Sequence, residues 1–73
     1  MTKVDSKAFQ IEMRKNGHTL DSLAQVLGLS RTGLFNKIHN KSEFKASEMS
    51  AIGTLFKLSK TKKDAIFFAS NVE

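Results

Sequence analysis

The chain has no cysteine and no proline, and each absence narrows its class. Without thiols neither a disulfide framework nor a thiolate metal site can be built, and the composition fits a reducing compartment. The two histidines, His18 and His39, stand 21 residues apart on different elements, which is a poor spacing for a shared metal. No metal or cofactor is expected. No apolar run approaches membrane-spanning length, and charges interrupt the hydrophobic residues of the opening MTKVDSKAFQIEMRKNG. Neither a signal peptide nor a membrane helix is expected there, and no membrane partner. The protein is expected to be soluble and intracellular.

Enzyme motifs are missing too: there is no Gly-rich phosphate loop, no Gly-x-Ser-x-Gly elbow, no HExxH and no cysteine nucleophile. Glu43 and Glu48 lie at or beside an expected helix start, where an acid stabilises the helix dipole, so they need no role as a catalytic pair. With 73 residues the chain makes one domain with a modest core and no room for a large enclosed active site. Catalysis is not expected.

Acidic residues are scarce. Seven stand against twelve basic ones, a formal +5 with a pI near 9.8, which biases the partner towards an anion. Their placement says more. Between Asp21 and Glu43 there is no acid, while Arg31, Lys37 and Lys41 fall inside that window, so the positive potential is expected to centre there.

What is present is helical periodicity. The absence of proline and of long alternating runs points to an all-α domain, a compact bundle of about five short helices. Asp5 or Ser6 can cap a first helix to about Lys15, with Phe9 and Met13 on its buried face and Val4 or Ile11 adding to it. Arg14 and Lys15 complement the dipole in its last turn, and Asn16-Gly17 ends it. Phe44 is expected to anchor the connector Asn40–Phe44. A helix from about Ala46 to Lys57 presents Met49, Ile52, Leu55 and Phe56 to the core, with Gly53 at a close approach. Thr61 and Asp64 fit a capping box for a last helix. Phe67 and Phe68 diverge by about 100 degrees on that helix, so either one ring is left over as a self-association surface or a wrapped core covers both.

The organising stretch is residues 19–40, TLDSLAQVLGLSRTGLFNKIHN. Leu20, Leu23, Ala24 and Leu27 line one helical face, Gly28 suits a left-handed helix end, Leu29 tucks into the turn, and Ser30 caps a second helix that buries Leu34 and Ile38. Arg31, Thr32, Phe35, Asn36 and His39 are expected to face outward. This reads as a helix-turn-helix, whose second helix can enter the major groove with its N-terminal residues nearest the bases. Ser30, Arg31, Thr32 and Gly33 occupy those positions. Arg31 can pair with guanine or hold a phosphate, Asn36 can read adenine, and Phe35 can touch a thymine methyl. Lys37 and Lys41 are placed for phosphates, and main-chain N–H groups near Thr19 can hold another.

Leu23-Ala24, Gly28-Leu29-Ser30-Arg31-Thr32, Leu34, Lys37-Ile38 and Asn40-Lys41-Ser42-Glu43-Phe44 resemble the helix-turn-helix proteins of temperate bacteriophages, the Cro and CI repressor superfamily. The resemblance extends through Met49 and Ile52 into Ile66-Phe67-Phe68-Ala69. It is closer to the small single-domain Cro or modulator-of-repression proteins of Firmicutes phages. It implies a lambda-repressor-like domain spanning residues 1–73, a place in the choice between lysis and lysogeny, and the cytoplasm of a bacterial host. A first expectation follows: a Cro-like transcriptional regulator, a homodimer on double-stranded operator DNA.

Three positions depart from the pattern. Leu20 stands where a phosphate-binding Gln is usual, Phe35 where small polar residues are, and Lys45 where Ser or Thr would cap the fourth helix. An aromatic on a reading face suits protein better than DNA. The alternative expectation is therefore an antirepressor or modulator that binds a CI-type repressor, using Leu20, Phe35, Phe67 and Phe68.

Overall fold

The computed structural model describes residues 3–69. Five helices follow in order: α1 (Ser6–Lys15), α2 (Leu20–Leu27), α3 (Arg31–Ile38), α4 (Ala46–Leu55) and α5 (Lys60–Phe67). Among the described residues there is no strand, and no helix is long and apolar enough to cross a membrane. The all-helical architecture expected from the periodicity is what the chain adopts.

Local chemistry explains each helix start. The Asp5 side chain accepts from the Ala8 N–H, Ser30 from Gly33 N–H and Ser59 from Lys62 N–H, each satisfying an amide that lacks a partner inside its helix. Thr19 and Ser22 cap reciprocally, the Ser22 N–H donating to Thr19 Oγ1 at 3.1 Å and the Thr19 N–H to Ser22 Oγ at 2.9 Å. The last helix begins before the expected cap. Ser59, not Thr61, fills that role, which leaves Thr61 and Asp64 inside α5.

Four helices end on a left-handed residue: Gly17 (φ 76°), Gly28 (φ 71°), Asn40 (φ 67°) and Lys57 (φ 53°). At each, two amides fold back onto the last turn, as when Gly28 N–H reaches Gln25 O and Leu29 N–H reaches Ala24 O. The lysine ends α4 at Leu55, earlier than the expected Lys57, because its own backbone has already left the helix.

The core is built around Phe9. Its ring lies 5.7 Å from Phe44, 5.8 Å from Phe56 and 6.0 Å from Phe67, centre to centre, so one α1 side chain touches the α3–α4 connector, the end of α4 and α5. Leu23, Leu34, Ile38, Ile52 and Ile66 complete the interior. Phe44 anchors its connector as expected. Ile11 does not join the core: two residues beyond Phe9 it has turned about 200 degrees around the helix, and half of it is exposed. Asp5 N–H donates to Ile66 O and Ala69 N–H to Lys3 O, which fastens the start of the chain to its last helix. That frame leaves the α2–turn–α3 unit on one side, with α2 packed on α3.

Candidate functional site

The outer surface of α3 is shaped by what its inner side must bury. Leu34 and Ile38, four apart, point into the core, so Arg31, Thr32 and Phe35 are turned outward and exposed. Asn36 is half-buried and Lys41 exposed. Gly33 is half-buried and sits against the cap: a Cβ there would lie 3.0 Å from Ser30 Oγ, so the glycine makes room for the bond that starts the helix. Thr19, where α2 begins, lies on the Phe35 side of the molecule.

The charges on that side are not free in the way the sequence suggests. Arg31 Nε lies 3.3 Å from Asp21 Oδ1, a pair across the turn with both side chains exposed. Lys37 is a clearer departure. Its ammonium lies 2.6 and 2.9 Å from the two carboxylate oxygens of Glu48, with the Lys37 side chain 12% exposed. A lysine so placed neutralises a nearly buried acid and is withdrawn from the surface, which corrects the expectation that it holds a phosphate. Of the three cations in the acid-free window, Lys41 alone has no carboxylate within ion-pair distance among the described residues. The acids that cancel the window lie just outside it in sequence.

Glu48 carries two duties. Burial pushes its carboxyl pKa up, but the Lys37 ammonium and the Lys45 amide, which donates to it at 2.9 Å, together outweigh burial and hold it below its ordinary value. It therefore covers the Lys45 N–H at the start of α4, where the Lys45 side chain cannot act as a cap. A second acid, Glu12, is held low first by Lys62, whose ammonium lies 3.0 Å away, with burial opposing and Lys15 assisting. Both acids work within the fold.

The exposed large hydrophobic side chain of α3 is Phe35, 43% exposed, its ring centre 4.3 Å from that of His39. Beside it lies a hollow of about 300 Å³ walled by Met13, Leu20, Phe35 and Ile38, with Arg14, His18 and His39 among its other lining residues. No carboxylate lines it. Leu20, half-buried, contributes to this wall, so Leu20 and Phe35 of the expected protein-contact set meet at one place. Phe67 and Phe68 do not join them. Phe67 is 3% exposed and packs on Phe9 and Phe44, which removes it as a contact residue, while Phe68 is 46% exposed and lies between α4 and α5.

Thr19 is spent locally as well. Its N–H donates to Ser22 Oγ and its hydroxyl accepts from Ser22 N–H, so of the main-chain groups near it those of Thr19 and Ser22 are already paired. Met13, Arg14 and His18 were not singled out as site residues by the sequence. The signal for them is weak: Met13 reads as core and Arg14 as a dipole partner, and only the docking of α1 beside α3 brings them to Phe35.

No family model, no curated protein and no solved structure matches this chain. Among the described residues the fold is that of a small five-helix domain with an exposed aromatic ring on α3.

Proposed function

We propose that this protein is a regulator of the lysis–lysogeny type that acts by docking its α3 face on a partner repressor of the CI class. The observation that carries this reading is Phe35, an exposed ring packed at a tilt against His39 at the lip of an apolar hollow. The two α3 cations are paired, Lys37 with Glu48 and Arg31 with Asp21, while Arg14 lines the hollow. An exposed aromatic beside an apolar wall, with the α3 cations engaged by carboxylates, suits a protein interface, whose core is poor in charge and rich in aromatic residues. By covering or displacing the repressor's own contacts, such a protein would change its hold on DNA without catalysing anything. Co-purification tests it: the chain and a CI-type repressor should elute as one complex from size-exclusion chromatography, and Phe35→Ala should dissolve that complex.

A second reading is favoured by a different observation. Arg31 and Thr32 stand exposed at the start of α3, the position from which a helix-turn-helix reads bases, and Lys41 follows with its charge uncompensated. The Arg31–Asp21 pair is exposed at both ends, so screening leaves it weak and Arg31 can exchange Asp21 for a phosphate or guanine. In this reading the protein binds operator DNA in the Cro manner. It predicts affinity that falls steeply with salt and an Arg31→Ala loss larger on operator than on random duplex.

A further inference from the structure

On the side of α4 and α5, away from every residue lining the Phe35 hollow, lies a broad open groove of about 910 Å³. Phe68 stands in it, 46% exposed, and Lys57, Lys60, Lys63 and Asp64 line it with Gly53. We infer that this groove docks an acidic protein segment carrying an apolar anchor for Phe68.

Charge identifies the occupant. Three lysines face one aspartate there, and that aspartate already pairs with Lys60 at 3.3 Å, so the groove carries a net positive charge that an acidic segment would complement. Asp64 also stands against a phosphate backbone, and an exposed ring between the lysines offers nothing to a duplex, where phosphate contacts would dominate. A second copy of this chain fits no better. In a two-fold contact over Phe68 each lysine set would face its own copy, in a protein already carrying a formal +5.

The backbone adds an independent mark. Of the four left-handed helix ends, two are Gly and one is Asn40, whose side chain accepts from Val4 N–H and donates to Val4 O. The fourth is Lys57, at φ 53°, where a glycine would rest without strain. Lys57 lines the groove. Keeping a lysine at a conformation that costs stability places a cation beside Phe68, as expected of a residue retained for contact. Gly53 belongs to the same construction. A Cβ there would lie 2.8 Å from Lys63 Cδ, so its absence lets the Lys63 stem rest against Gly53 where both line the groove.

The test is an amide-resolved NMR titration of the full, ¹⁵N-labelled chain with a blocked peptide of repeating Glu-Glu-Phe-Leu. Its controls are the Lys-Lys-Phe-Leu twin, a Glu-Glu-Ser-Ser peptide and a duplex DNA of random sequence. The acidic apolar peptide should shift Gly53, Thr54, Lys57, Leu58 and Phe68 saturably below about 1 mM. Phe68→Ser should weaken it roughly tenfold, and Lys57→Gly about threefold while raising the melting temperature. Both variants alter exposed side chains, and their unperturbed core resonances would show that the fold is kept. The inference is overturned if the peptide shifts none of these amides, if it shifts the Phe35 hollow instead, if the basic twin or the duplex shifts them as strongly, or if Phe68→Ser leaves its affinity unchanged. The Phe35→Ala complex assay is a separate experiment, so failure here leaves the repressor-docking reading standing, and failure there leaves this one.

Discussion

The Lys37 ammonium sits astride the Glu48 carboxylate, 2.6 and 2.9 Å from its two oxygens, with both side chains about nine-tenths buried. This bond ties the outer end of α3 to the first turn of α4 and sets the electrostatic character of the surface between them. It withdraws one of the two α3 cations from the surface and leaves Arg31 and the Phe35 ring as its large exposed side chains.

Because the pair is nearly buried, removing one member leaves the other uncompensated. Lys37→Met should destabilise the domain by about 3 kcal/mol, and pairing it with Glu48→Leu should recover most of that loss. Urea unfolding of the two variants checks it. A Lys37→Met protein as stable as the parent would mean that the bond is not formed in solution.

Acid sensitivity follows from the same groups. Glu12 and Glu48 both have pKa values held below the ordinary 4.5 in the folded chain. The unfolded state therefore binds more protons than the folded one as pH drops past that ordinary value, and stability falls from there until the folded values are passed. Above 4.5 these two acids contribute their full stabilisation. Denaturation midpoints measured from pH 7 downward should decline below about pH 5, and Glu48→Gln should flatten that decline even though it is less stable at neutral pH.

Phe9 is the aromatic hub, fully buried and in ring contact with Phe44, Phe56 and Phe67. Phe9→Ala should cost about 3 to 5 kcal/mol, enough to unfold much of so small a domain at room temperature. Far-ultraviolet circular dichroism reads the loss of helix directly. Phe9→Leu, which refills part of the space, should stay folded with a lower melting temperature.

The helix ends can be ranked against one another. Asn40 holds a left-handed backbone and clamps Val4 through two hydrogen bonds, at 2.7 and 3.0 Å. Asn40→Gly loses the clamp and keeps the backbone; Asn40→Ala loses both and should be less stable by about a further 1 kcal/mol. Equal midpoints for the two variants would show that the left-handed conformation at Asn40 carries no strain.

The helices were legible because their signals are local. Thr19, Ser30 and Gly28 act on amides within four residues, and the spacing of Leu23, Leu34 and Ile38 shows which side must be buried. The divergence of Phe67 and Phe68 was legible for the same reason. The surface was harder to read because charge is decided by partners distant in sequence. Lys37 meets Glu48 eleven residues on, and Arg31 meets Asp21 across the turn, so the acid-free stretch of sequence did not become an acid-free surface. The hollow beside Phe35 needed α1 to dock before Met13 and Arg14 could be recognised as its wall. Ser59 and Thr61 both precede the apolar run and either can cap; it is Ser59 whose hydroxyl accepts from Lys62 N–H, so α5 begins at Lys60.

The central claim is that Phe35 makes α3 a protein-docking face. Isothermal titration of the chain against a purified CI-type repressor tests this most directly. The account predicts a saturable complex that Phe35→Ala weakens by at least about tenfold and that moderate salt leaves nearly unchanged. No heat of binding to the repressor, together with operator binding by this chain alone that Arg31→Ala abolishes and Phe35→Ala spares, would contradict it.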